Sequence, residues 1–111
     1  MILPNGYKLI IVPEDSKDLF YKESYRSGMC NMFDEVIYIA DNLRKNVLRE
    51  VIAHELVHAI ISKYIPGREI SNDEEWVCNF MGLYAHQVTE LTNYALKRLQ
   101  FKNGRLQEKD E

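Results

Sequence analysis

The pattern of apolar residues changes halfway along this chain of 111 residues, and that change restricts the fold more than any other feature. The first half has two runs rich in β-branched residues, at 7–12 and 35–40, which are typical of strands. Residues 19–25 are expected to form a third strand that leads into a turn around Ser27-Gly28. The first half therefore predicts a small sheet.

The second half has the apolar spacing of two long helices. Asp41 or Asn42 can cap the first helix, which is expected to end before Pro66-Gly67. Its apolar positions cover more than one face, so we expect this helix to lie at the buried centre of the domain. A second helix is expected to start near residues 71–73 and to run to about Phe101. Strands followed by helices predict an α+β fold, with about three strands packed on the first helix.

Chain length limits the domain organisation. A chain of 111 residues can bury one compact core but not two, so residues 1–101 are expected to form a single domain. Residues 102–111 contain three basic and three acidic side chains, and we expect them to form a solvated tail. No internal repeat or linker-like tract divides the chain further.

Charge argues against nucleic acid as a partner. The 14 basic and 17 acidic side chains give a net charge of −3, whereas nucleic-acid binders present a strongly basic surface. The nearest thing to a basic cluster is Lys97, Arg98, Lys102 and Arg105. This cluster falls where a helix is expected to end, and there it complements the helix dipole. No nucleic-acid partner is expected.

Membrane insertion and secretion are not expected either. The longest apolar stretches fall far short of the roughly 20 residues needed to cross a bilayer. The N-terminal residues lack the basic and apolar regions of a signal peptide, which predicts a cytoplasmic protein. In that reducing compartment Cys30 and Cys78 are expected to remain free thiols.

The most informative motif is His54-Glu55-Leu56-Val57-His58, inside the first predicted helix. Residues four apart lie on one helix face, so both imidazoles can reach one ion while Glu55 points toward a water bound to it. Zinc suits such a site because it accepts imidazole nitrogen and tolerates an open position. Chance produces this pattern in about 1% of chains of this composition. The alternative is that both histidines lie in a core with hydrogen-bond partners and no metal. Burying two histidines and a glutamate without a common ligand costs free energy.

A catalytic zinc site needs a third protein ligand, and Asp73-Glu74-Glu75 follows His58 at a suitable distance. Glu74 is favoured because it extends an apolar stripe expected to face the first helix and the metal. That stripe is Val77, Met81 and Tyr84. Glu75 is the alternative ligand. Ser71 or Asn72 can also recruit one of these glutamates to cap the second helix, which leaves the other to bind the metal.

Three further residues are candidates for roles near such a site. His86 is expected to be a surface histidine and not a transition-state stabiliser or an alternative ligand, because it lies about 16 Å along the second helix from Glu75 at 1.5 Å per residue. Tyr64 and Tyr84 are candidates for polarising a substrate carbonyl, although tyrosines more often serve in packing. The sequence does not choose between the two.

The stretch from Val36 to about Ala85 resembles the small gluzincin-like zinc metallopeptidase domains of phages and mobile elements, which are related to the ImmA/IrrE family. The resemblance rests on the strand 36–39, on the motif 54–59, and on residues 73–77, which open the next helix. In such families the strand before the motif helix forms the edge on which an extended peptide is laid. The resemblance implies that the fold is zincin-like.

The same resemblance implies roles for individual residues. It makes His54 and His58 zinc ligands, Glu55 the general base, and Glu74 or Glu75 the third ligand. The expected function is a minimal zinc-dependent metallopeptidase that hydrolyses a peptide or protein substrate, with a partner protein for target selection. One alternative is a catalytically silent binding or regulatory protein of the same fold, from a phage or mobile element. Another is a purely structural metal site.

Overall fold

A computed structural model of the protein describes residues 1–64 and 74–110, with only the backbone of Glu74 among them. Five strands and a short 3₁₀ helix precede two long helices, and two strands follow them. In chain order the elements are β1 (Lys8–Val12), the 3₁₀ helix (Lys17–Leu19), β2 (Phe20–Tyr21), β3 (Ser24–Tyr25), β4 (Gly28–Asn31), β5 (Val36–Ala40), α1 (Lys45–Tyr64), α2 (Glu74–Lys97), β6 (Leu99–Lys102) and β7 (Arg105–Glu108). The predicted α+β class is confirmed.

The main sheet has three strands in the order β1-β5-β4. Strand β1 runs parallel to β5, and β4 runs antiparallel to it. The third strand is therefore β4, whereas the prediction placed it at residues 19–25. Those residues instead contribute to the small hairpin β2–β3. The expected turn at Ser27-Gly28 is the start of β4, because the Ala40 N–H donates to the Ser27 carbonyl and continues the strand pairing.

The strand before the motif helix is central in the sheet. The resemblance implies that residues 36–39 form an edge, but β5 pairs with β1 on one side and with β4 on the other. Four of its five residues are buried, and such continuously apolar runs are typical of strands covered on all sides. Among the described strands, β4 and β1 form the edges of this sheet.

Helix α1 packs its apolar residues on one face of this sheet. Leu48, Ile52, Leu56, Ala59 and Ile60 are buried in one cluster with strand residues such as Leu9, Ile37 and Ile39. The prediction that this helix lies at the buried centre is confirmed. The helix begins at Lys45, four residues after Asp41 and three after Asn42, so neither predicted cap directly precedes it. Neither helix in the described ranges has a stretch long and apolar enough to cross a bilayer.

The C-terminal residues form a hairpin and not the predicted solvated tail. Helix α2 ends at Lys97, and β6 and β7 pair across a turn at Asn103-Gly104, where both residues have positive φ. Leu99 and Leu106 are buried in the main core, and the Leu106 N–H donates to the Asp41 carbonyl. The count of charges concealed this strand, because it gave no weight to Leu106, which is buried between the charged Arg105 and Glu108.

Deleting residues 102–111 is therefore expected to lower the melting temperature by more than about 10 °C. The deletion removes β7 and leaves the core open at Leu99, and truncating even one buried leucine costs about 2–5 kcal/mol. Thermal unfolding followed by circular dichroism measures the effect. Leu106→Ala is expected to lower the melting temperature by a smaller amount, and the exposed Lys102→Ala is the control. A truncated chain that melts like the full one contradicts the core role of the hairpin.

Candidate metal centre

The motif residues lie in the middle of α1, and Glu55 lies on the side of the helix that faces β4. The rings of His54 and His58 meet edge to face, with centroids 5.0 Å apart. One ligand atom from each of His54, Glu55 and His58 lies within 4.8 Å of the other two. The prediction that both imidazoles share one helix face is confirmed, and the two histidines remain accessible from solvent.

Glu55 is the unusual member of this group because its side chain is buried. Only 5% of the residue is exposed, and its Oε2 atom has no hydrogen-bond partner among the described residues. Burial raises the pKa of the Glu55 carboxyl, although the adjacent His54 opposes that rise. A buried carboxylate oxygen without a partner is costly, and a bound cation is one way to offset that cost.

The donor set of this group is chemically suited to a divalent metal. The two imidazole nitrogens are donors that zinc accepts in proteins, and a carboxylate beside them can accept a proton from a water bound to the metal. Burial, together with the neighbouring His54, lowers the pKa of His58. A lowered pKa keeps His58 neutral near pH 7, and the neutral imidazole is the form that binds a metal.

Gly28 brings strand β4 close to Glu55. A Cβ atom placed on Gly28 would lie 3.0 Å from Cγ of Glu55 and 3.1 Å from Cγ1 of Val51. The backbone of β4 therefore passes directly beside the glutamate side chain. The sequence predicts a turn at Gly28, and the signal that indicates its actual role is a glycine within a strand, which often marks a close approach of another chain segment.

Cys30 follows two residues later and faces the same side of the sheet. Burial and, to a smaller extent, the charge of Glu55 raise the pKa of its thiol to about 11, while the Tyr7 hydroxyl opposes the rise. Cys30 is thus a neutral thiol near pH 7. It is free, as is Cys78, which agrees with the expectation from sequence.

The third ligand is not identified within the described residues. The side chain of Glu74 lies outside them, as do residues 65–73, including the proposed caps. Glu75 is exposed and is not a member of the group formed by His54, Glu55 and His58. The choice between Glu74 and Glu75 stays a prediction.

The stripe that favoured Glu74 is arranged differently from the expectation. Val77 is 47% exposed and Met81 is 51% exposed, so these residues do not form the packed side of α2. The packed side instead carries three aromatic rings in succession, Trp76, Phe80 and Tyr84, with neighbouring centroids 5.4 and 5.2 Å apart. Large rings bury more area than valine or methionine, and this decides which side of the helix faces inward.

The remaining candidates lie in ordinary packing or surface positions. The His86 side chain is 86% exposed, and its Nε2 lies 2.9 Å from Glu90 Oε1 one turn along α2, as expected for a surface histidine. Tyr64 and Tyr84 stack on each other with centroids 5.6 Å apart. A catalytic role for either tyrosine stays a prediction. Comparison with protein-family models, curated proteins and solved structures finds no match for this chain.

In the metal-free protein, Glu55→Gln is expected to raise the free energy of unfolding at pH 7 by about 1 kcal/mol or more, because it removes a buried charge without a partner. The raised pKa of Glu55 means that folding disfavours its ionised form. The gain should therefore vanish as the pH falls below the pKa of an unfolded glutamate and the carboxyl becomes neutral in both states. Urea unfolding of the wild type and of Glu55→Gln at several pH values measures this gain in the free energy of unfolding. A variant that is less stable than the wild type at pH 7 contradicts the prediction.

Proposed function

We propose that this protein is a zinc-dependent peptidase with a small zincin-like fold. The observation that carries the proposal is the convergence of His54, His58 and the buried Glu55, whose Oε2 atom has no hydrogen-bond partner among the described residues. His54 and His58 would hold the metal, with Glu74 as the third ligand and Glu75 as the alternative. When bound, zinc polarises a carbonyl oxygen and lowers the pKa of a water molecule to about 7.

Glu55 is the general base in this proposal. Its carboxylate accepts a proton from the attacking water and passes that proton to the leaving amine. The pKa of Glu55 is raised by burial, and a raised pKa makes the carboxylate a stronger proton acceptor. The contact with Gly28 limits where this side chain can lie. A buried and confined carboxylate beside two imidazoles supports this assignment more than it supports a structural role.

The outer edge of β4, which pairs with no other strand among the described residues, supports an extended polypeptide as the substrate. The bond from Ala40 N–H to the Ser27 carbonyl fixes the alternation of the antiparallel pair. Met29 and Asn31 therefore direct their backbone groups toward β5, while Gly28 and Cys30 direct theirs away from it. A peptide strand added at this edge would pass beside Glu55 and would gain main-chain hydrogen bonds without a requirement for particular side chains.

Hydrolysis by metal-loaded protein tests the proposal. The purified chain is incubated with a mixture of unstructured peptides in three forms: loaded with zinc, treated with a chelator, and reloaded with zinc. New peptide termini, identified by mass spectrometry, are expected with the first and third forms only. Cleavage that survives chelation, or the absence of cleavage by the zinc-loaded form, contradicts the proposal.

A second candidate function is a binding or regulatory protein that does not turn over its partner. The observation that favours it is a set of exposed apolar side chains in the first half of the chain, including Phe33, which is 99% exposed, and Phe20, Tyr25 and Met32. Exposed apolar groups of this kind often mark protein-binding surfaces, and such a surface could also select the target of a peptidase. Phe33→Ser is expected to abolish partner binding in this case, whereas Glu55→Gln should leave it intact.

A further inference from the structure

Gly28 occupies a position in the sheet where the neighbouring strands carry large side chains. It pairs with Ile39, and Ile39 pairs with Ile11, so these residues form one row across the sheet on the side that faces α1. The next row, Leu9, Ile37 and Cys30, has a side chain at every position. At the edge strand, the row that contains Gly28 therefore has no side chain of its own on the side of the sheet that faces α1.

The side chain of Glu55 lies next to the position that a side chain on residue 28 would occupy. A Cβ atom on Gly28 would be 3.0 Å from Glu55 Cγ, 3.1 Å from Val51 Cγ1 and 3.3 Å from Ile39 Cδ1. The backbone does not require glycine at this position, since only Gly6 and Gly104 among the described glycines have positive φ. Space for Glu55, and not backbone conformation, is what makes a side chain unfavourable at position 28.

We propose that Gly28 is a positioning residue for Glu55, and this inference rests on the proposed function. The missing side chain at position 28 sets how far Glu55 reaches beneath β4, and so where its carboxylate lies relative to His54 and His58. A side chain at position 28 would also contact Val51 and Ile39. Of these three neighbours, only Glu55 takes part in the proposed reaction, so only its displacement should lower the rate directly. Because errors of about 1 Å in a catalytic group cost roughly 10²-fold in rate, a displacement of a few tenths of an ångström is measurable.

Gly28→Ala is the direct test in the zinc-loaded protein. We expect kcat to fall by about 3-fold to 10-fold while KM and the zinc content per chain remain unchanged. Gly82→Ala is the matched control, because a Cβ atom at that position of α2 has nothing within 4 Å. The control is expected to keep the parental kcat. A parental kcat in Gly28→Ala overturns the positioning role.

A second pair of changes distinguishes displacement of Glu55 from steric strain at the two other side chains that the new Cβ atom would contact. Ile39→Val and Val51→Ala remove the other two atoms that a new Cβ would touch, so adding them to Gly28→Ala should ease strain without freeing Glu55. We expect kcat to stay low in this triple variant. Full recovery of kcat would show that the strain acts through Val51 and Ile39, and it would overturn the inference.

A stability cycle tests the contact without any reference to activity. Gly28→Ala is combined with Glu55→Ala, which lacks Cγ, and with Glu55→Gln, which retains it. The alanine at position 28 is expected to lower the melting temperature by several degrees in the wild type and in Glu55→Gln, and by clearly less in Glu55→Ala. An equal fall in all three backgrounds overturns the inference. If the cycle holds while zinc-loaded wild-type protein cleaves no peptide, the proposed function is wrong and the packing of Gly28 on Glu55 stands.

Discussion

Glu55→Gln is expected to lower the rate of peptide hydrolysis by about 10³-fold while the zinc content stays at that of the wild type. Proton transfer by a positioned base contributes about 10²–10⁴ to an enzymatic rate, and glutamine cannot accept the proton. The amide has nearly the shape of the carboxyl, so the contact with Gly28 should persist. Initial rates and metal analysis on the same samples measure both quantities.

Glu50→Gln is the matched control for this change. Glu50 lies on the same helix and is exposed, so its charge is removed without touching the candidate centre. It is expected to keep the parental rate. A Glu55→Gln protein that hydrolyses peptides as fast as the wild type would remove the proposed base from the mechanism and leave the metal without a catalytic partner on this helix.

The second large effect is expected from the two histidines. His54→Ala and His58→Ala should each weaken zinc binding by about 10²-fold or more, because each removes one of the few nitrogen donors that the site offers. Titration with zinc against a competing chelator measures the change. The control is His86→Ala, since His86 lies at the surface and pairs with Glu90. Unchanged zinc affinity in the variants of the motif histidines would contradict the assignment of the centre.

The local parts of the fold could be predicted from sequence, because they depend on short-range periodicity. Strands β1 and β5 and helix α1 each lie within a residue or two of a pattern that is visible along the chain. The pairing of the strands could not be read in this way. Strand β4 contains Gly28 and is only four residues long, so its propensity is weak, and contacts with β5 and α1 determine its place.

The C-terminal hairpin had a local signal that charge obscured. Asn103-Gly104 is a favourable dipeptide for a two-residue hairpin turn, and both residues adopt the positive φ that such a turn needs. Leu99 and Leu106 lie on the buried side of the two strands. An equal number of basic and acidic residues in the last ten favoured a solvated tail, although the Asn103-Gly104 turn signal and the apolar Leu106 were more informative.

The candidate site was predictable in its spacing but not in its environment. The shared helix face of His54 and His58 follows from a separation of four residues. The burial of Glu55 and its contact with Gly28 depend on a strand that lies 27 positions earlier in the chain, which no local pattern reveals. The third ligand could not be derived, because the inward side of α2 is set by the stacking of Trp76 and Phe80 and not by the valine and methionine stripe.

The central claim is that His54 and His58 bind a catalytic zinc ion. X-ray absorption at the zinc edge, combined with metal analysis of the purified protein, tests it most directly. The expected result is about one zinc per chain, with two imidazole nitrogens at about 2.0–2.1 Å, oxygen donors in the remaining positions, and loss of that signal in His54→Ala and His58→Ala. A protein that takes up no zinc, or one that binds zinc equally well without these histidines, would contradict the claim.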